Sequence, residues 1–190
     1  LSLTGNEGLG AVAAGFIPAT VTEMIGSPDG ILMLPVWITP LSATLVHGGF
    51  LHLALNLVML VYCGRMLERA IGSAPLAFLY LVGAYGAAAG QWALDPQGVA
   101  PMIGASGAAS AFIAAYAMLF AEQPVPSIGP FPSRVVRVVW LAAAWIGIQS
   151  LVGFVMLGGG QAIAIGAHIG GFIVGLALAR PLLLWRYRTA

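Results

Sequence analysis

Phe50-Leu51-His52-Leu53-Ala54-Leu55-Asn56-Leu57-Val58-Met59-Leu60-Val61-Tyr62-Cys63-Gly64-Arg65-Met66-Leu67-Glu68-Arg69-Ala70-Ile71 is long enough, at about 1.5 Å per residue, to cross roughly 30 Å of hydrocarbon as one helix. Its charges, Arg65, Glu68 and Arg69, gather at one end, where long side chains reach back to the interface. Near the other end His52 and Asn56 stand four residues apart and so project from one face. Polar groups in hydrocarbon are costly and usually functional. This pair therefore marks a place to look for chemistry.

The rest of the chain asks for the same solvent. Of its 190 residues 60% are hydrophobic and 7% charged, and the mean hydropathy is +0.98, against about 25% charged residues in a soluble domain. That composition defines an integral membrane protein, all-α by the pattern of its apolar runs. Four more spans follow at Leu76 to Leu94, Gly104 to Ala121, Val135 to Leu157 and Ala162 to Leu184. Breakers fall between them: Gly72-Ser73-Ala74-Pro75, Asp95-Pro96-Gln97-Gly98, Pro124 through Pro132, and Gly158-Gly159-Gly160. Residues 1–46 read as an interfacial loop region with short helical pieces, because Pro18, Glu23, Pro28, Asp29, Pro35 and Pro40 cut every apolar stretch there. Residues 1–190 then form one membrane domain. The start carries no initiating Met and no signal-peptide pattern, so the chain is expected to begin inside a longer protein.

All seven basic residues are arginine. Arg65 and Arg69 end the first span, Arg134 and Arg137 precede the fourth, and Arg180, Arg186 and Arg188 close the fifth, which places every one on the same side. By the positive-inside rule that side is the cytoplasm, with Glu7, Glu23, Asp29 and Asp95 outside. No Lys/Arg cluster exists to track a phosphate backbone, which excludes nucleic acid as a partner. Cys63 is the one cysteine and reads as a small buried hydrophobe. A lysine-free chain rich in alanine and glycine points to a bacterium of high genomic GC, hence to a bacterial cytoplasmic membrane.

In this topology His47, His52, Ser106 and His168 all lie within about two turns, roughly 10 Å, of the outer ends of their helices. Ser106, between Gly104 and Gly107, opens a span whose unpaired N–H groups and dipole suit an oxyanion. His168 stands among glycines, with Gly171 and Gly175 at i+3 and i+7 baring one face of its helix for close packing. A neutral imidazole near Ser106 is the base that serine chemistry requires. His52 and Asn56 supply donors of the kind an oxyanion needs, while His47 precedes the helix and is left to order the loop. Each feature also has a structural reading. Ser106 fits a small-residue packing face, His168 a histidine bonded to a carbonyl, and the His52–Asn56 pair interhelical glue.

Other intramembrane chemistries fail on inventory. No His-Glu-x-x-His exists for zinc, and Asp29 and Asp95 both fall in loops, so no paired aspartates stand in a span. Neither a metal nor a cofactor is called for, and no carboxylate is available as a third catalytic member. A small transporter, suggested by the glycine-rich helices, lacks an intramembrane carboxylate or an internal repeat.

Taken in order, His47-Gly48-Gly49-Phe50-Leu51-His52-Leu53-Ala54-Leu55-Asn56, Gly104-Ala105-Ser106-Gly107 and Ala167-His168-Ile169-Gly170-Gly171 with Gly175 resemble the rhomboid family of intramembrane serine proteases. Gly64-Arg65-Met66-Leu67-Glu68 followed by Gly72 looks like the cytoplasmic end of that family's second helix. The resemblance implies a six-helix core that cleaves transmembrane segments of substrate proteins with a serine on helix four and a histidine on helix six. Here it implies Ser106 as nucleophile and His168 as base, with His52, Asn56 and the Ser106 amide as the oxyanion hole. His47, Gly104, Gly107 and Gly171 take supporting roles. The five spans correspond to helices two to six, the family's first helix being absent, and the site opens to the extracytoplasmic side. Two departures stand out. Trp37 is followed by Ile38 where the family often has Trp-Arg, and Ser110 occupies the place four after the serine where an aromatic commonly supports the histidine, with Phe112 the nearest substitute. These departures motivate a second reading, a catalytically inactive rhomboid-like protein that binds transmembrane clients.

Overall fold

The computed structural model describes residues 7–22, 30–120, 125–156 and 164–188. Among them the regular structure is helical, with no β-strand longer than an isolated bridge. Short helices come first: α1 (Glu7–Ala14), a 3-10 turn at Pro18–Val21, α2 (Thr39–Ser42) and a second 3-10 turn at Ala43–Leu45. Five long helices follow: α3 (Phe50–Ile71), α4 (Ser73–Leu94), α5 (Ser106–Phe120), α6 (Ser133–Met156) and α7 (Ile165–Arg186).

The chain is a multi-pass membrane protein, and its surface shows why. Leu57, Val58, Val61, Phe78, Leu81, Trp140 and Ile173 are exposed on the outsides of the helices, the reverse of a water-soluble pattern. α3, α4 and α7 are each long and apolar enough to cross a membrane, while α5 and the Val135–Ile148 part of α6 are apolar but shorter.

Several boundaries differ from the sequence reading: α6 starts at Ser133 rather than Val135, α7 ends at Arg186 rather than Leu184, and the starts of α4 and α5 also move. α4 starts at Ser73 rather than after Pro75, because a proline in the first turn gives up an N–H that has no helical acceptor anyway. α5 starts at Ser106 rather than Gly104, since Gly104 has φ +100°, outside the helical region. The expected ends at Ala121, Leu157 and Ala162, the breakers Pro124 and Gly158-Gly159-Gly160, and Glu23, Pro28 and Asp29 lie outside the described residues.

α7 is the hub, packing most extensively on α4 and α5. Glycine makes this possible, since side chains here would collide with main chain. A Cβ on Gly170 would strike the Gly86 carbonyl, and one on Gly90 would lie 2.8 Å from the Gly170 Cα. Without a hydrophobic drive between helices in lipid, such close contact is what holds them together. Below it, Leu67, Ile71, Leu79, Phe112, Ala115 and Leu182 form a buried cluster joining α3, α4, α5 and α7. At one end of the bundle the Arg186 guanidinium sits where a Cβ on Gly72 would go, so the ends of α3 and α7 meet there.

At the other end the N-terminal segments clamp the loop that leads into α5. Phe16 and Met102 exchange backbone hydrogen bonds of 3.0 and 2.8 Å, Ala19 N–H donates to the Gly98 carbonyl, and Gly104 N–H donates to that of Ala43. Trp37 is exposed, but its carbonyl accepts a 2.8 Å hydrogen bond from the Tyr85 hydroxyl of α4. Trp37 is thus tied to α4 through its backbone carbonyl.

Candidate active site

Ser106 is the first residue of α5, and its position is fixed from both directions. On its N-terminal side Gly104 turns the chain at φ +100°, and a Cβ there would stand 2.6 Å from the His52 Nε2. Glycine is required twice over, for its dihedral and for room. On its C-terminal side a Cβ on Gly107 would meet the Ala87 side chain of α4. The first N–H groups of α5 have no intrahelical acceptor, and the helix dipole adds partial positive charge at the same point.

His168 is the fourth residue of α7 and is buried. Its Nε2 lies 2.9 Å from the Ser106 Oγ, hydrogen-bond distance between residues 62 apart in sequence. For the hydroxyl to donate, the imidazole carries its proton on Nδ1, an atom with no hydrogen-bond partner among the described residues. The contact exists because α7 lies directly on α5: Gly171 rests on the Gly107 carbonyl and Gly175 on that of Ala111. Gln91 of α4 steadies the start of α7, its Oε1 accepting from the Ala167 N–H at 3.3 Å.

The other candidates are near but differently engaged. The His52 imidazole lies against Gly104, and its Nδ1 accepts a 3.3 Å hydrogen bond from the Gly48 N–H. Asn56 is buried, with its side-chain amide donating to the His52 carbonyl at 2.8 Å. His47 packs edge-on against His52 with centroids 5.1 Å apart, and burial holds its pKa below the ordinary histidine value against a backbone hydrogen bond at Leu45 that raises it. A small cleft beside Ser106 is lined by Ala84, Ala87, Gly104, Gly107, Ala164 and Ala167, among others.

Phe112 does not support His168. It packs edge-on against Tyr80, with Gly64 beside it. The ring on His168 comes instead from α6, where Trp145 lies at a centroid distance of 6.3 Å and an interplanar angle of 63°. Its indole Nε1 donates to the Ser110 Oγ at 2.7 Å, and Ser110 Oγ in turn donates to the Ser106 carbonyl at 2.8 Å. Neither Trp145 nor Gln91 is picked out by sequence pattern.

A helical membrane bundle that sets a serine hydroxyl against a buried imidazole, on two glycine-bonded helices, defines a class of intramembrane protein with a serine–histidine pair. Comparison with known proteins identifies which. The sequence profile described as Rhomboid domain matches residues 35–185. The chain is 31% identical over 141 residues to rhomboid protease GlpG of Serratia proteamaculans (strain 568), covering 73% of this chain and 45% of that protein. It is 29% identical over 144 residues to RHOMBOID-like protein 5 of Arabidopsis thaliana, covering 76% and 43%. With rhomboid-related protein 2 of Mus musculus it shares 26% over 168 residues, covering 82% and 54%. The chain belongs to the rhomboid family. It spans about half the length of the curated relatives it matches.

Proposed function

We propose that this protein is an intramembrane serine endopeptidase that cleaves transmembrane segments of membrane proteins with a Ser106–His168 dyad. The observation that carries this reading is the 2.9 Å approach of Ser106 Oγ to His168 Nε2. In the reaction Nε2 takes the hydroxyl proton as Oγ attacks the scissile carbonyl, then gives that proton to the leaving amine, leaving an acyl group on Ser106. A water deprotonated by the same nitrogen releases the acyl group as a carboxylate and restores both residues.

The oxyanion is held by the Ser106 N–H at the start of α5, with His52 and Asn56 turning their donors toward it when substrate binds. His47, Gly104, Gly107 and Gly171 support these groups. The alanines and glycines beside Ser106 favour a small side chain on the residue whose carbonyl is attacked. The site faces the extracytoplasmic side of a bacterial cytoplasmic membrane, a reading supported by the arginine distribution.

Labelling of the detergent-purified protein by a fluorophosphonate, alongside cleavage of a model transmembrane substrate, tests the proposal. Wild type should do both, and Ser106→Ala and His168→Ala neither, because the two act as one unit. A folded wild-type protein that neither labels nor cleaves would instead be the inactive, client-binding member of the family.

A further inference from the structure

Trp145 and Ser110 form a connection that the dyad alone does not require. Ser110 is fully buried, one turn after Ser106, and its hydroxyl both donates to the Ser106 carbonyl and accepts from the Trp145 indole. The indole also lies against His168. One side chain from α6 thus touches both halves of the dyad, on α5 through Ser110 and on α7 directly. Trp145 is itself buried, packed with Ala114 and Phe172. Space explains the small residue at position 110, since a Cβ on neighbouring Gly171 would already lie 3.3 Å from the Ser110 Cβ. An aromatic ring at 110 would have to occupy the volume that the indole fills.

We infer that Trp145 and Ser110 are positioning residues, which together hold the His168 imidazole and the first turn of α5 in the geometry for proton transfer. This inference rests on the proposed protease activity. The indole stops the imidazole from swinging away from Ser106 Oγ, a task that falls to a neighbour because the imidazole Nδ1 has no fixing partner among the described residues. The Trp145–Ser110 hydrogen bond fixes the indole's rotation. Trp145 should therefore act on kcat rather than on substrate affinity.

The test compares four variants, Trp145→Phe, Trp145→Leu, Ser110→Ala and Ser110→Thr, by steady-state cleavage of a transmembrane substrate in proteoliposomes, fluorophosphonate labelling rate and thermal unfolding. Trp145→Leu fills volume without a ring and should lower kcat and labelling by about tenfold, with KM changed less than twofold. Trp145→Phe keeps a ring and should recover most of that loss. Ser110→Ala should fall between them, and Ser110→Thr, which keeps the hydroxyl but adds a methyl group to a filled site, should retain more kcat than Ser110→Ala while unfolding at a lower temperature. Equal losses in Trp145→Phe and Trp145→Leu, or losses that follow unfolding temperature alone, would reduce the pair to packing and overturn the inference. Wild-type kinetics in all four would overturn it as well. Failure of the protease reading is a separate result, recognised by absence of labelling in the wild type itself.

Discussion

Replacing Gly171 with alanine should disable the proposed site without touching Ser106 or His168. A Cβ at 171 falls onto the Gly107 carbonyl oxygen, 2.9 Å from its carbon and 3.3 Å from the Ser110 Cβ. Carbon atoms rest about 3.5–4.0 Å apart, so α7 must retreat from α5 by at least about 0.6 Å. His168 is one turn away on the same helix, and its 2.9 Å hydrogen bond to Ser106 then stretches to about 3.5 Å or more, where little of it survives. Overpacking of this kind destabilises by about 1–3 kcal/mol. A misplacement near 1 Å costs about 100-fold in rate. The measurement is kcat for a transmembrane substrate in proteoliposomes, paired with thermal unfolding to show that the variant remains folded. A folded Gly171→Ala protein with kcat within twofold of wild type would refute the argument, because the dyad distance would then not depend on this helix contact.

Three further outcomes are expected. His52→Ala and Asn56→Ala should each lower kcat by about 10- to 1000-fold with smaller changes in KM, and an effect confined to KM would assign them to substrate binding instead. In a Cys63→Ala background, a cysteine at Gln97 should react with an impermeant thiol reagent in intact cells and one at Ser73 only after lysis; the opposite pattern would reverse the orientation. His47 has a folded pKa lowered by burial, so its neutral form contributes stability that is present above the ordinary histidine value of 6.5 and is lost as pH falls through the lower folded value. The unfolding temperature should therefore drop on acidification below about 6.5, less steeply in His47→Gln, and equal slopes would show that His47 is not the group responsible.

The serine and the histidine were legible because each is a rare polar residue among glycines at a helix end, and because arginine placement gave their helices a common depth. The partner of His168 was not legible. Phe112 lies six residues beyond Ser106, roughly 240° around the helix, and so faces Tyr80, whereas Ser110 at four residues comes back to within about 40° of the same face. α6 offers no polarity to set its rotation, so Trp140 and Trp145 look alike in sequence. In the fold Trp140 is 65% exposed and Trp145 only 7%. The starts of α4 and α5 are hard to place for a related reason, since proline and glycine interrupt a pattern without saying on which side of them the first turn begins. Gln91 carries no signal in the sequence because a glutamine near a helix end reads as a surface residue until the start of α7 is laid against it.

The main-chain contacts among α4, α5 and α7 also bear on how accurately two atoms can be held apart. Where side chains meet, each contact carries several rotamers, and a packing error can be absorbed by switching among them. At Gly90, Gly107, Gly170, Gly171 and Gly175 there are none to switch. The separation of the helices is set by bonded geometry and van der Waals radii, so thermal spread in the serine–histidine distance arises from the motion of whole helices and from the two side chains themselves. Accuracy of this sort leaves little tolerance: a single added methyl group has nowhere to go, and the same glycines that make the distance reproducible make the helices unforgiving of substitution.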